Sequence, residues 1–150
     1  AHRLAGDPSL VELTLCGSYR RGKSTSGDID MMVVHKDDKK LYSFFAKLVV
    51  ELKRVGYITH DPTSAAGFHC SKAEKFMGLC KLEGGQHHRR LDIIAVLNEH
   101  RACSLLYFTG NAYLNRSMRS LCHRQNKSLS QHYLKENVVR DAHGKTICEG

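Results

Sequence analysis

The chain lacks tryptophan, contains only two prolines and has no pair of cysteines in a CxxC arrangement. Its six cysteines are scattered over positions 16, 70, 80, 103, 122 and 148. This spacing disfavours both a zinc knuckle and a disulfide framework. We therefore expect reduced thiols, most of them in the core of an intracellular protein.

Long apolar runs are also missing. No stretch approaches the roughly 20 residues that a membrane-spanning helix needs, and the N-terminal AHRLAGDPSL lacks the apolar centre of a signal peptide. We therefore expect no membrane partner. The chain begins with alanine rather than methionine, and we expect it to be a piece of a longer protein.

Acidic residues are scarce relative to basic ones. The 15 Asp and Glu against 23 Lys and Arg give a formal net charge of +8. This balance favours a polyanionic partner such as nucleic acid, with a generically basic protein as the alternative. At 150 residues and 41% hydrophobic content, the chain can form about one ordinary folded domain.

The first half of the sequence alternates strand and helix patterns. Residues 11–15 alternate apolar and polar side chains, which predicts a half-buried strand, and Gly17 interrupts it before one or two helical turns that open at Ser18. A second strand is predicted over 29–35. Apolar residues recur at helical spacing over 41–55, and the glycine that follows is suited to a C-cap.

The second half begins with a predicted hairpin. After a turn-like stretch over 61–72, strands over 76–82 and 88–97 are joined by the short linker EGGQH, which favours antiparallel pairing. Helices are predicted over 102–107 and, with Asn111 as N-cap, to about residue 126. The tail NVVRDAHGKTI predicts a strand, a turn and a second strand.

Three aspartates stand out on the predicted strands. Because strand side chains alternate, Asp28 and Asp30 point the same way, and Asp92 lies on another strand. Carboxylates crowded on a buried face are costly unless a divalent cation neutralises them, and oxygen-only ligation suits Mg²⁺. The alternative is a DxD sequence at a loop edge with no function.

A possible phosphate site precedes these carboxylates. Gly17 and Ser18 stand at a strand-to-helix turn, where backbone N–H groups bind anions, and Arg21 can add a bidentate contact to a phosphate. Gly27 allows close backbone approach just before Asp28. The pattern favours a nucleoside triphosphate with its Mg²⁺, and the alternative is a basic surface turn.

Three motifs resemble those of the family X DNA polymerases. These are GSYRRGK followed by SGDID, HRRLDII at 88–94, and LLYFTGNAYLNRSMR at 105–119, and they occur in the order typical of the family. The resemblance runs from about Leu13 to Gly144. Within the family, NRSMR and Ala112 resemble the lambda-like branch more than the beta-like branch, which usually carries an acidic residue at that position.

The resemblance implies an α+β fold. A palm with a mixed or antiparallel sheet flanked by helices would occupy residues 1–100. A small, mostly helical nucleotide-binding subdomain would occupy 101–150 and would be truncated at its C-terminus. The lyase and helix-hairpin-helix modules that usually precede the palm do not fit in the residues before Leu13.

The resemblance also implies residue roles. The catalytic and metal-binding residues would be Asp28, Asp30 and Asp92, with two Mg²⁺ ions or Mn²⁺ as a substitute. The nucleotide-binding residues would be Gly17, Ser18, Arg21, Ser26, Gly27, Tyr107, Phe108, Gly110 and Asn115. The residues that contact primer or template would be Arg90, Arg116 and Arg119. For Tyr107 and Phe108, core packing at a helix end is the alternative.

The expected function is template-directed DNA synthesis in gap-filling repair, by base excision or end joining. The expected partners are dNTP and a gapped or primer–template DNA duplex, with other repair proteins possible through domains outside this chain. We expect a monomer in the nucleus, with the mitochondrion as the alternative. Template-independent tailing and a non-catalytic basic nucleic-acid-binding fragment are the competing functions.

Overall fold

A computed structural model describes residues 6–62 and 74–148. The chain divides into an N-terminal unit, Ala1–Asn98, and a C-terminal unit, Glu99–Gly150. This boundary, after residue 98, lies two residues before the boundary predicted from the sequence, after residue 100. Most of the turn-like stretch expected over 61–72 lies outside the described residues.

The N-terminal unit is built on a five-stranded mixed sheet with the order β1-β2-β5-β4-β3. The central pair, β2 and β5, is parallel, and the other neighbouring pairs are antiparallel. The mixed sheet confirms the expected α+β class, and the antiparallel pairing of β4 with β5 confirms the hairpin predicted over 76–97. The strands are β1 (Val11–Leu15), β2 (Asp28–His35), β3 (Ile58–His60), β4 (Lys75–Cys80) and β5 (Arg89–Val96).

Among the described residues of this unit are two α-helices, a single turn α1 (Gly17–Arg20) and the long α2 (Asp38–Arg54). A 3-10 turn, Pro8–Leu10, precedes β1. Helix α2 begins three residues earlier than its apolar repeat predicts, because Asp37 caps it by accepting a hydrogen bond from the Lys39 N–H at 3.1 Å. A polar first turn of this kind carries no hydrophobic periodicity.

The predicted glycine cap of α2 is confirmed. Gly56 has a φ of +75°, in the left-handed region that glycine adopts without a steric penalty. Its N–H donates to the Lys53 carbonyl and the Tyr57 N–H donates to the Leu52 carbonyl, both at 3.0 Å. These two bonds form a Schellman motif, which turns the chain back towards β3.

The hydrophobic core lies between α2 and one face of the sheet. It includes Phe45, Val33, Leu91 and Ile93, each with no exposed surface. Because side chains alternate along a strand, the neighbours of these sheet residues, among them Asp92, point to the opposite face. The core therefore fixes the face on which the carboxylates lie.

Up to residue 148, where the described part of the chain ends, the C-terminal unit contains two α-helices and two small hairpins. After the 3-10 turn Asn98–His100, the helices meet near Gly110, which confirms the predicted break, and the predicted tail hairpin is confirmed as β8 and β9. The β6–β7 pair was not predicted. The elements are α3 (Arg101–Thr109), α4 (Ala112–Arg124), β6 (Ser128–Leu129), β7 (Leu134–Lys135), β8 (Val139–Arg140) and β9 (Thr146–Cys148).

The five cysteines among the described residues are all free thiols. Cys16 and Cys80 are buried, whereas Cys103 and Cys122 are partly exposed and Cys148 is exposed. The expectation that most thiols lie in the core is therefore wrong for this set, because three of them lie in the C-terminal unit, where few of the described side chains are buried. Across the described residues, no helix has the length and apolar character needed to traverse a bilayer.

Candidate active site

Three carboxylates meet on the sheet face opposite α2. Strands β2 and β5 are parallel neighbours, and their register places Asp30 beside Asp92 and Asp28 beside Arg90. One carboxylate oxygen from each of the three aspartates lies within 4.8 Å of the others. The pairing thus brings the three aspartates expected from sequence into one cluster.

Asp92 is the most enclosed member of this cluster. Its residue is 6% exposed, and its Oδ1 atom is buried without a hydrogen-bond partner. A buried charged oxygen left in this state costs free energy, commonly 1–3 kcal/mol or more. The orphaned oxygen and the all-carboxylate donor set fit a hard divalent cation that binds oxygen ligands.

Arg90 connects two of the carboxylates. It forms an ion pair with Asp28, and its Nε lies 3.5 Å from Asp92 Oδ2. The guanidinium is about half exposed, whereas the Asp92 side chain is almost enclosed. Arg90 therefore holds the carboxylates of Asp28 and Asp92 in position and reduces their mutual repulsion.

The third carboxylate, Asp30, is electrostatically unfavourable when charged. Burial raises the pKa of Asp30, the negative charges of Asp28 and Asp92 raise it further, and Arg90 and Lys75 oppose the shift. A bound cation would favour the charged form of the same group. Sequence reasoning missed Lys75, because only the β4–β5 register places it on this face.

The turn after β1 packs directly on Asp30. Gly17 has a φ of +57°, and a Cβ there would overlap the Asp30 side chain, lying 2.9 Å from its Cγ. The Cys16 N–H also donates to the Asp30 carbonyl at 2.8 Å. Glycine is required here because the backbone and the carboxylate occupy adjoining space.

The expected phosphate-binding residues surround this turn. The Ser18 hydroxyl donates to the Ser26 hydroxyl at 3.0 Å, which links the two ends of the loop. Helix α1 starts at Gly17 rather than at the predicted Ser18, and Arg21 is its exposed C-cap. No atom lies within 4 Å of where a Cβ on Gly27 would be, so there is space beside the backbone.

A second group of expected site residues lies in the C-terminal unit. Asn115 Nδ2 donates to the Tyr107 carbonyl at 2.9 Å, and the Tyr107 and Phe108 rings meet edge to face at 5.1 Å. The Arg119 guanidinium lies over the Tyr107 ring at 5.0 Å. These contacts arrange the tyrosine, the asparagine and the arginine as one cluster.

Two further expected residues lie near the junction of α3 and α4. Gly110 is the C-cap of α3 with a φ of +66°, and the Asn111 side chain caps α4 by accepting from the Leu114 N–H at 3.0 Å. Arg116 lies over the Tyr113 ring at 4.9 Å. Arg116 therefore faces a different tyrosine from Arg119.

The chain matches two family models in succession. Residues 3–98 match the DNA polymerase beta palm, and residues 104–149 match the DNA polymerase beta thumb. The first of these covers more than half of the chain.

Two curated relatives are similar over most of this sequence. DNA polymerase lambda of Rattus norvegicus is 44% identical over 147 residues, which are 97% of this chain and 25% of that protein. DNA polymerase lambda of Arabidopsis thaliana is 34% identical over 114 residues, 74% of this chain and 22% of that protein. These matches agree with the resemblance to the lambda-like branch.

The chain spans about a quarter of the length of these relatives. The two family matches, the two relatives and the mixed sheet with its acidic cluster all lead to the same classification. The chain belongs to the family X DNA polymerases, of which it carries the palm and thumb regions.

Proposed function

We propose that this chain forms the catalytic part of a DNA-directed DNA polymerase, which adds dNTPs to a primer 3′-hydroxyl. The observation that carries the proposal is the cluster of Asp28, Asp30 and Asp92, with carboxylate oxygens within 4.8 Å on one sheet face. The orphaned Oδ1 of Asp92 supports it, because a structural carboxylate would have a hydrogen-bond partner.

The cofactor that fits this donor set is Mg²⁺, as two ions, with Mn²⁺ as a substitute. When bound, such a pair would lower the pKa of the attacking hydroxyl and stabilise the leaving oxygen. In this proposal Asp28 and Asp30 hold both ions and Asp92 holds one. Arg90, which contacts Asp28 and Asp92, keeps these carboxylates oriented towards the primer end.

The turn beside the carboxylates would hold the triphosphate. Ser18 and Ser26, joined by their hydroxyls, would present donors to it, and Arg21 would neutralise charge. Gly17 and Gly27 would let the backbone approach the phosphates.

In this proposal Asp92 helps to remove the proton of the primer 3′-hydroxyl. The primer oxygen forms a bond to the α-phosphorus, the bond from the α-phosphorus to the oxygen that bridges it to the β-phosphorus breaks, and pyrophosphate leaves.

The C-terminal unit would contribute contacts to the nucleotide and the DNA. Tyr107, Phe108 and Gly110 would pack against the sugar of the incoming nucleotide, and Asn115 would reach its base. The hydrogen bond from Asn115 to the Tyr107 carbonyl supports a shared surface for these two residues. The remaining contacts, to the template strand, would come from Arg116 and Arg119.

We place this activity in gap-filling repair, by base excision or end joining, with a gapped or primer–template duplex as the DNA partner. Template-independent terminal transferases of this family typically have a longer insertion at this point, so the short connection between β4 and β5, residues 81–88, favours template-dependent synthesis over template-independent tailing. We also propose that the protein is a monomer and lies in the nucleus, with the mitochondrion as the alternative location. Primer extension with and without a template distinguishes the two modes of synthesis.

The decisive experiment compares Asp92→Asn with Glu83→Gln in the full-length protein. Glu83 is an exposed carboxylate in the β4–β5 linker and serves as the matched control. We expect Asp92→Asn to slow Mg²⁺-dependent incorporation on a gapped duplex about a thousandfold or more, because a ligand for the reacting centre is lost. Near-normal incorporation by Asp92→Asn would overturn the proposed mechanism.

A further inference from the structure

Ser104 is a buried polar residue in a unit that buries few side chains. Among the described residues of the C-terminal unit, only Ser104 and Val138 are buried, each with 1% of its surface exposed. A buried hydroxyl is costly unless it forms a hydrogen bond. Serine is also a weaker helix former than alanine, so packing alone would favour alanine at this position of α3. The hydroxyl therefore indicates a specific contact.

The hydroxyl of Ser104 holds a turn that lies outside its own helix. Its Oγ donates to the Gln131 carbonyl at 2.7 Å, although the two residues are 27 positions apart in the chain. A serine within a helix commonly bonds instead to a carbonyl one turn back in the same helix. The contact thus joins α3 to the turn between β6 and β7, residues 130–133.

The same turn makes a second contact with α3. The rings of His100 and His132 meet edge to face, with their centroids 5.1 Å apart. His100 is the N-cap of α3, four residues before Ser104, so the two residues lie on one side of the helix. Within the turn, the Ser130 hydroxyl accepts from the N–H groups of His132 and Tyr133 at 3.1 and 3.0 Å. A turn closed by its own hydrogen bonds is therefore fixed to α3 at two points.

This turn also forms one wall of a small cavity in the C-terminal unit. The wall consists of Leu129 and Ser130, at the point where β6 enters the turn. The cavity is also lined by Tyr107, Asn115 and Arg119. Because side chains in a folded protein are closely packed, a shift of this wall would let the neighbouring side chains change position. The position of the turn thus bears on the residues assigned above to the nucleotide and the template strand.

We propose that Ser104, with the turn that it holds, positions the side chains that select the nucleotide, an inference that rests on the proposed polymerase function. Ser104 does not itself line the cavity, so it acts through the Gln131 carbonyl and the turn. The fixed wall keeps Asn115 in place, with its Nδ2 bonded to the Tyr107 carbonyl. The acidic cluster lies in the N-terminal unit, so Ser104 affects the binding of the correct nucleotide and not the bond-forming step at saturation.

The test measures steady-state kinetics of the full-length protein on a duplex with a single-nucleotide gap and Mg²⁺. Wild type is compared with Ser104→Ala, which removes the hydroxyl, and with His132→Ala, which weakens the other contact of the same turn. Ser120→Ala is the control, because Ser120 is an exposed serine on α4 outside the cavity lining. For both turn variants we expect KM for the correct dNTP to rise about threefold to tenfold, with kcat changed less than about twofold.

Separate measurement of KM and kcat distinguishes positioning from a loss of folded protein. A smaller fraction of folded enzyme lowers the apparent kcat and leaves KM unchanged, whereas a displaced nucleotide contact raises KM. A lower kcat with unchanged KM in both turn variants would therefore contradict the proposal. If Ser104→Ala melts at a much lower temperature than wild type, His132→Ala decides, because its side chain lies on the turn and not inside the helix.

The remaining outcomes separate this inference from the proposed function. Unchanged KM in both turn variants, with an active wild type, would overturn the inference and leave the polymerase function intact. An equal rise of KM in Ser120→Ala would also overturn it, because the effect would then not depend on the turn. A wild type that incorporates no dNTP on the gapped duplex would remove the polymerase function, and the inference with it.

Discussion

Gly17 and Asp30 occupy adjoining space so closely that any side chain on Gly17 would displace the carboxylate. The backbone at Gly17 also has a φ of +57°, which an L-residue adopts only with strain. One glycine thus positions a turn and leaves room for an acidic side chain of the neighbouring strand.

The first prediction concerns Gly17→Ala. We expect a loss of about 2–4 kcal/mol in the free energy of unfolding, since backbone strain and a displaced carboxylate both contribute. Incorporation should fall by about tenfold or more, because Asp30 would move away from the proposed reacting centre. Gly22→Ala is the control, as Gly22 has a φ of +74° but nothing within 4 Å of an added Cβ. Equal effects in the two variants would show that Asp30 is not displaced.

A second prediction concerns Arg90→Gln. In EDTA we expect the free energy of unfolding to fall by about 1–2 kcal/mol, since the variant removes the positive charge that lies between Asp28 and Asp92. Saturating Mg²⁺ should recover much of this loss if the carboxylates bind the cation. Thermal melts with and without Mg²⁺ measure both effects. Arg89→Gln, which removes an exposed neighbour bonded to the adjacent His88 carbonyl, should change little.

The sequence predicted much of this arrangement and missed specific parts of it. Strand alternation placed Asp28 and Asp30 on one face, and turn chemistry located Gly56 as a cap. The sequence could not predict that β2 lies between β1 and β5, because strand order depends on tertiary packing across the sheet. Lys75 was missed for the same reason, because its position near Asp30 follows only from the strand register.

Other elements were missed because they are short. Strand β3 has three residues, and β6 and β7 have two each, too few for a period-2 pattern to emerge.

A third prediction concerns the pH dependence of Asp30→Asn in EDTA. The pKa of Asp30 is raised in the folded protein, so the folded state binds this proton more tightly than the unfolded state. The contribution of Asp30 to the free energy of unfolding therefore falls as pH rises from the ordinary Asp pKa, about 3.9, through the folded pKa. Above that window, we expect Asp30→Asn to unfold at higher denaturant concentration than wild type, and the difference should vanish at lower pH.

Asp7→Asn provides a comparison of opposite sign for this experiment. The Ser9 N–H donates to Asp7, which lowers the pKa of that carboxyl in the folded state. Folding thus favours the charged form of Asp7. Asp7→Asn should therefore not increase the free energy of unfolding at neutral pH. A gain in both variants would indicate a general effect of reduced charge and not relief of the acidic cluster.

A fourth prediction tests the packing that supports the site. Phe45 on α2 has no exposed surface and belongs to the core beneath the sheet. Phe45→Ala should reduce the free energy of unfolding by about 3–5 kcal/mol, because it leaves a cavity in that core. Val50→Ala, on the same helix but 62% exposed, should change it by less than about 0.5 kcal/mol. Denaturant titration measures both values.

The pairing of β2 with β5 also has a consequence for the order of folding. Asp28 and Arg90 are 62 positions apart in the chain and yet lie side by side in the sheet. Closing a loop of this length costs conformational entropy that local contacts do not repay, so such pairings form slowly. In a nascent or partly folded chain, Asp92 is therefore far from Asp28 and Asp30. The proposed metal site is therefore complete only once β2 and β5 have paired, so the proposed chemistry depends on a long-range step of folding.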